Sequence, residues 1–316
     1  MMKNQASFQL IVMLAFTLLW QHMATAFNVD THEAMNESAT RNSTLDTFLK
    51  TAIGMEDGVN DTFRSLTVTQ WTEEGGHDED NGTRPLRHFH DPLQSWSDAG
   101  LQTVPSAPRL ESSVLWMQED DGADAGTGQQ KWSWPDARRS YRDALTSRLP
   151  GDRDQRWADT FRAIGHIMHL IEDAGQPAHV RNDPHGLELI CRDIFGIRCG
   201  GNFEYWVSEN SAAYSLDGAP QLDTGMLHEA TSSPSAPVPV AHLIDNDIYI
   251  GSSANVTLGP HDENNDVETM TAPVGIAEFT NANFSAKIRR VSIRTATSPC
   301  SWTPPRWRTT ACCADT

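Results

Sequence analysis

His169 and Asp173 stand four residues apart, in a stretch that continues through Gly175 and Pro177 to His179 and Asn182. On a helix this spacing stacks an imidazole and a carboxylate on one face, about 5–6 Å apart at Cβ, where both can grip one ion. The glycine and proline then end the helix and re-aim His179. A carboxylate that shares a metal with a histidine keeps a second oxygen, so Asp173 is placed to bridge to another ion. Clustered ions of this kind do hydrolytic chemistry: they bring the pKa of a bridging water near neutrality, and they neutralise charge developing on a phosphoryl group. Five spaced identities (His169, Asp173, Pro177, His179 and Asn182) should co-occur by chance with a probability on the order of 10⁻⁴. A plain solvated helix face is therefore the weaker explanation.

The pattern H-x-x-x-D-x-x-x-P-x-H-x-x-N resembles the metal-binding core of the zinc-dependent phospholipases C and of the related secreted single-strand nucleases, which share a mostly helical, three-zinc fold. The resemblance runs from about Phe27 to about Phe284, with only short islands matching closely. It implies ligands from distant parts of the chain. Family members use a mature N-terminal aromatic residue and an early histidine, which correspond to Phe27 and His32. A free amine and carbonyl oxygen at Phe27 would chelate as a five-membered ring. In residues 75–92, Gly-Gly-His-Asp-Glu-Asp precedes Arg-His-Phe-His-Asp-Pro, and the phospholipase pattern carries over to Asp80 and His88 as partners of His169 and Asp173. Asp78 is the fallback for Asp80, while His77 and His90 fall behind the ligands or in solvent. Arg162 and His166 are candidates to orient the ligand carboxylates.

The third ligand set departs from the family. Asn202-Phe203-Glu204-Tyr205-Trp206 resembles the carboxylate half, so Glu204 would join His179, but Gly200 stands where a histidine is expected. His185 is the candidate replacement. The expectation is two or three Zn²⁺ ions held by Phe27, His32, Asp80, His88, His169, Asp173, His179, His185 and Glu204. Asp173 and Asp80 would be the catalytic carboxylates, Asp80 as a possible proton acceptor.

Length and charge bound the rest. A chain of 316 residues is long enough for one large domain with a real core. Residues 1–26 read as a signal peptide, with a basic start, an apolar run over residues 8–20 and a small-residue Ala24-Thr25-Ala26 cleavage site, which points to a secreted or periplasmic protein. A net charge of −18 argues against gripping nucleic acid by phosphate neutralisation alone. Five cysteines in an exported chain suggest a disulfide, with Cys191 and Cys199 the nearest pair.

The elements that must position these groups read as helices, so the fold class is all-α, a single multi-helix domain with long loops. Trp157, Phe161, Ile164, Met168 and Ile171 follow helical periodicity, which predicts one long helix burying that stripe and turning Arg162, His166, His169 and Asp173 to an adjoining face. Ser133 caps a helix with Pro135 in its first turn and Ala137, Tyr141, Ala144 and Leu145 on its apolar face. Further helices fit residues 44–53, 63–73, 202–213 and 272–283. Residues 74–112 and 119–131 read as polar loops. The metal domain covers residues 27–284, and residues 285–316 form a basic, cysteine-containing tail that reads as poorly ordered, the product of a frameshift or truncation.

The leading expectation is a monomeric, secreted zinc phosphodiesterase of phospholipase C type, making transient contact with a membrane surface and using a metal-bridging hydroxide. The run from His88 to Pro92, and Glu204 rather than Asp, favour that branch. A nuclease acting on single-stranded nucleic acid is the alternative, favoured by the Phe27-to-His32 spacing and by Gln176 before Pro177. A non-catalytic zinc-stabilised module is the other. Peptidase chemistry is disfavoured because His32-Glu33 and His228-Glu229 lack the second histidine of H-E-x-x-H.

Overall fold

The computed structural model describes residues 29–102, 108–120, 130–183, 240–246 and 275–288, together with positions 203 and 207. The described chain is mostly helical: α1 (Val29–Asn42), α2 (Leu45–Phe48), α3 (Val68–Glu79), α4 (Ser113–Trp116), α5 (Trp134–Thr146), α6 (Pro150–Asp173) and α7 (Ile276–Ile288). The predicted helix at 202–213 (apart from the helical positions 203 and 207), the signal segment, the Cys191 and Cys199 pair and the tail past residue 288 lie outside the described residues. Helix α7 itself continues beyond residue 284, where the sequence reading starts the tail. None of the described helices is long and apolar enough to cross a membrane.

The spine is α6. Pro150 opens it at a position where a missing N–H costs nothing, and Gly175 and Pro177 follow its last residue, Asp173. Its first half packs Trp157 and Phe161 with Leu49, Val59 and Val68. Its second half packs Ile167 and Leu170 with Val114, Trp116, Val180, Ile244 and Ala277. Full burial of each such side chain is worth roughly 1.5–3 kcal/mol. Helices α3 and α5 lie against α6, and α1 lies against α3.

Glycine sets how closely α3 and α6 approach. A methyl group on Gly75 would collide with the Arg162 carbonyl, and one on Gly165 would collide with the Thr72 carbonyl. Asn36 of α1 bridges both helices, donating to the carbonyls of Thr72 and Gly165.

Three sequence expectations need correction. Residues 62–67 are not helical: Thr62–Phe63 and Leu66–Thr67 pair as a short antiparallel ladder around Arg64 and Ser65, whose φ angles are positive. Helix α3 starts after them because Thr67 and Gln70 form a reciprocal capping box, and it runs through Gly75 and Gly76 to Glu79. The stretch expected to open a loop at residue 74 is therefore the end of a helix. Second, the predicted stripe is not buried throughout: Ile164, Met168 and Ile171 are only partly buried, whereas His166, His169 and Asp173 on the adjoining face are fully so. Third, Leu145 of α5 is 52% exposed, while Asp136 is buried, held by Ser133 in the cap.

Candidate metal centre

Side chains from five separate places meet beside the last turns of α6. His32 comes from α1, Asp80 from the end of α3, His88 from the turn after Arg84–Arg87, His169 and Asp173 from α6, and His179 from the short turn His179–Arg181. All are buried, with side chains between 0% and 3% exposed. Asp173 lies at the middle. Its Oδ1 is 3.3 Å from His32 Nε2, and its Oδ2 is 2.7 Å from His88 Nδ1, 3.4 Å from His169 Nε2 and 3.4 Å from His179 Nδ1. Asp80 Oδ1 faces His169 Nε2 at 3.7 Å and His88 Nδ1 at 3.8 Å.

These separations test whether a metal fits. Hydrogen bonds between such groups fall near 2.7–3.2 Å. Donor atoms bound to one ion at about 2.0–2.1 Å in a tetrahedral shell sit roughly 3.3–3.4 Å apart. Three of the six separations here are of the second kind, and two more, at 3.7 and 3.8 Å, are too long for hydrogen bonds. Consistent with that, both oxygens of Asp80 and of Asp173, both ring nitrogens of His88, and Nε2 of His169 make no aligned hydrogen bond, although all are buried. Even the 2.7 Å approach of His88 to Asp173 is short without being aligned. Buried polar atoms are otherwise costly unless paired. The donor atoms of His32, His169 and Asp173 all lie within 4.8 Å of one another, and so do those of Asp80, His88 and His169. These buried clusters can hold a metal ion, with one oxygen of Asp173 facing His32 and the other facing His88, His169 and His179.

The ring orientations have identifiable causes. Because α3 ends with Asp80 N–H turning to the His77 carbonyl, the Gly76 carbonyl is left for His169, whose Nδ1 donates to it at 2.7 Å. That contact sends Nε2 inward. The His32 ring lies flat on His169, with centroids 3.5 Å apart at 18°, and its Nδ1 meets Glu172 Oε2 at 2.6 Å. His179 stacks on Phe89 and accepts His90 N–H at its carbonyl. Asn182, in the left-handed region at φ 53°, closes that turn and accepts Gln102 N–H. The last member of the spaced motif is thus a turn residue, a conformation asparagine tolerates.

Electrostatics follow the crowding. Burial works to raise Asp173, but His179, His169 and His88 outweigh it and hold the carboxyl well below its usual range. Burial raises Asp80, against the pull of His169, His88 and His32. Burial opposes protonation of His32 and His88, yet Asp173 and Glu172 lift His32 to about 10, and Asp173 with Glu79 lifts His88 to about 9. Without a metal, protons on imidazoles supply the positive charge that the carboxylates require.

The remaining sequence candidates divide. His77 is about half exposed and pairs with Glu33, away from the cluster, and Asp78 pairs with Arg162. His90 is buried, its Nε2 2.7 Å from Asp245, which also accepts from Trp96 Nε1. His166 joins Glu79 at 2.5 Å. Phe27, His185 and Glu204 lie outside the described residues. Sequence reasoning missed Glu79 and Glu172. Each directly precedes a candidate ligand, Asp80 or Asp173, and that adjacency was the only signal available.

Comparison with family models, with characterised proteins and with solved structures finds no match for this chain.

Proposed function

We propose that this protein is a zinc-dependent phosphodiester hydrolase of phospholipase C type. The observation that carries the reading is the convergence of His32, Asp80, His88, His169, Asp173 and His179, spread over nearly 150 positions of the chain, on one buried cluster with donor spacings of ligands rather than hydrogen-bond partners. Nitrogen and carboxylate donors in this proportion suit zinc. Bound zinc supplies Lewis acidity toward a phosphoryl oxygen and lowers the pKa of water.

The chain's own residues do the rest. His32 and Asp173 would hold one ion, and Asp80, His88, His169 and the other oxygen of Asp173 would hold a second. His179 would contribute to a third. Asp80, neither of whose buried oxygens makes an aligned hydrogen bond, would take a proton from the attacking water. Phe89 and the Gly76 carbonyl keep two imidazoles in orientation while substrate turns over.

The test is direct. The purified chain is analysed for bound metal and then assayed separately on choline phospholipid and on single-stranded DNA. Zinc-dependent release of phosphocholine supports the reading, and loss of that activity with chelator followed by recovery with Zn²⁺ ties it to the metal. A nuclease is the second reading, favoured by His32 reaching Asp173 from a position only five residues after Phe27. Cleavage of DNA alone would replace the lipase assignment with it. A single tightly bound ion and no turnover of either substrate would leave a zinc-stabilised module.

A further inference from the structure

We infer that Glu172, a residue outside the candidate ligand set, is the positioning residue that makes His32 a ligand; the inference rests on the metal reading above. His32 is held on three sides. Glu172 Oε2 lies 2.6 Å from Nδ1, Asp173 Oδ1 lies 3.3 Å from Nε2, and the face of the ring rests on His169. Two carboxylates adjacent in sequence therefore address the two nitrogens of a single imidazole. Their separations differ in kind: the Glu172 contact is a short hydrogen bond and the Asp173 contact is a ligand-to-ligand spacing.

The consequence is a defined tautomer. With Nδ1–H donated to Glu172, the lone pair at Nε2 points to the side where Asp173 offers an oxygen. A full negative charge behind the ring also raises its donor strength, the carboxylate–histidine–metal arrangement that tunes metal sites. His169 has only a neutral carbonyl in the same role, that of Gly76. Glu172 is 10% exposed, so its charge is only weakly screened. The ion shared by His32 and Asp173 should thus depend on the Glu172 charge, and the ion at Asp80, His88 and His169 should not.

Removing the charge while keeping the shape separates this role from packing. The full chain, stripped with chelator, is titrated with Zn²⁺ against a competing chromophoric chelator, for wild type, Glu172→Gln and Glu172→Asp. Glu172→Gln is expected to weaken one class of ion by roughly 10–100-fold and leave the other at wild-type affinity. Glu172→Asp should recover much of the loss, because it keeps the charge although it shortens the side chain. A merely structural role gives the reverse order, with Gln tolerated and Asp harmful, and overturns the inference. So does equal loading of Glu172→Gln and wild type. A wild-type chain that takes up no Zn²⁺ overturns the metal reading first, and this inference with it. Nitrogen-15 spectra of the zinc-loaded wild type give a check that needs no variant: His32 should carry its proton on Nδ1 and its metal on Nε2, and a proton-free Nδ1 would sink the assignment.

Discussion

Two buried clusters of carboxylate and imidazole lie back to back in this protein, and they behave oppositely. The inner one gathers His32, Asp80, His88, His169, Asp173 and His179. The one behind it gathers Glu79, Arg84, His166 and Trp116. Both oxygens of Glu79 are satisfied: Trp116 Nε1 donates to one at 2.8 Å, and His166 and Arg84 meet the other at 2.5 and 3.0 Å. Arg84 supplies a permanent positive charge. Burial can therefore keep His166 neutral and push its pKa down to about 4, while Glu79, raised by burial but outweighed by Arg84, stays well below its usual range. The inner cluster has no arginine among its members. Its carboxylates draw protons onto His32 and His88 instead, and its atoms sit too far apart or too misaligned to bond one another. The rear cluster carries a permanent counter-charge of its own, and the inner one draws its counter-charge from protons or could take it from a metal ion. The two touch at His88, whose Nε2 lies 3.5 Å from Glu79 while its Nδ1 faces Asp173.

The sharpest way to break this comparison is to remove the shared carboxylate. Asp173→Asn should cost more in zinc affinity than the roughly 10–100-fold expected when an outer partner is lost, and both classes of ion should weaken together. Equilibrium zinc competition reads this out, and loss of only one class would mean that Asp173 does not bridge. Next in size, Glu79→Ala should destabilise the fold by about 3–5 kcal/mol, because Arg84 and His166 lose the carboxylate they were buried with. Urea denaturation of the metal-free chain measures it; a change below about 1 kcal/mol would show that the rear cluster is not the structural one.

Acidity separates metal-free from metal-loaded protein. His32 and His88 have folded pKa values raised to about 10 and about 9 from an ordinary 6.5. Their contribution to stability is therefore fully present below pH 6.5 and is lost as pH rises through 9 to 10. The metal-free chain should melt at lower temperature at pH 10 than at pH 7. Zinc bound as proposed would displace those protons, so its apparent affinity should climb over the same range and proton release should accompany loading near neutrality. Melting curves with and without chelator test both signs, and parallel pH profiles would contradict the exchange of protons for metal. A smaller effect tests the framework: Ser133→Ala removes the cap of α5 and should cost about 1 kcal/mol without altering zinc uptake.

Several of these features were legible in the order of residues. The helical period around Trp157 and Phe161, the stop at Gly175 and Pro177, and the Ser133 cap are local signals, and local geometry honours them. The convergence of His169, Asp173 and His179 was readable for the same reason, since spacing on a helix and one turn beyond it is a short-range matter. The start of α3 was misread because a run compatible with helix was overridden by a turn at Arg64 and Ser65 and by the capping box at Thr67. The predicted apolar stripe of α6 is only in part its buried face: Ile164, Met168 and Ile171 stay partly exposed, because imidazoles share the interior with Trp157, Phe161, Ile167 and Leu170.

By itself the sequence offered which groups have side chains suited to a metal and where most helices begin and stop, because propensity, capping and side-chain spacing act over a few residues. Only the tertiary structure decided which of the histidines join the cluster, and it turned His77 out toward solvent while His90, His166 and Glu79 became supports. It also brought Glu172 to Nδ1 of His32 and the Gly76 carbonyl to Nδ1 of His169. Those choices depend on how closely α1, α3 and α6 pack, and that is set by glycines and bridging side chains more than 30 positions apart in the chain.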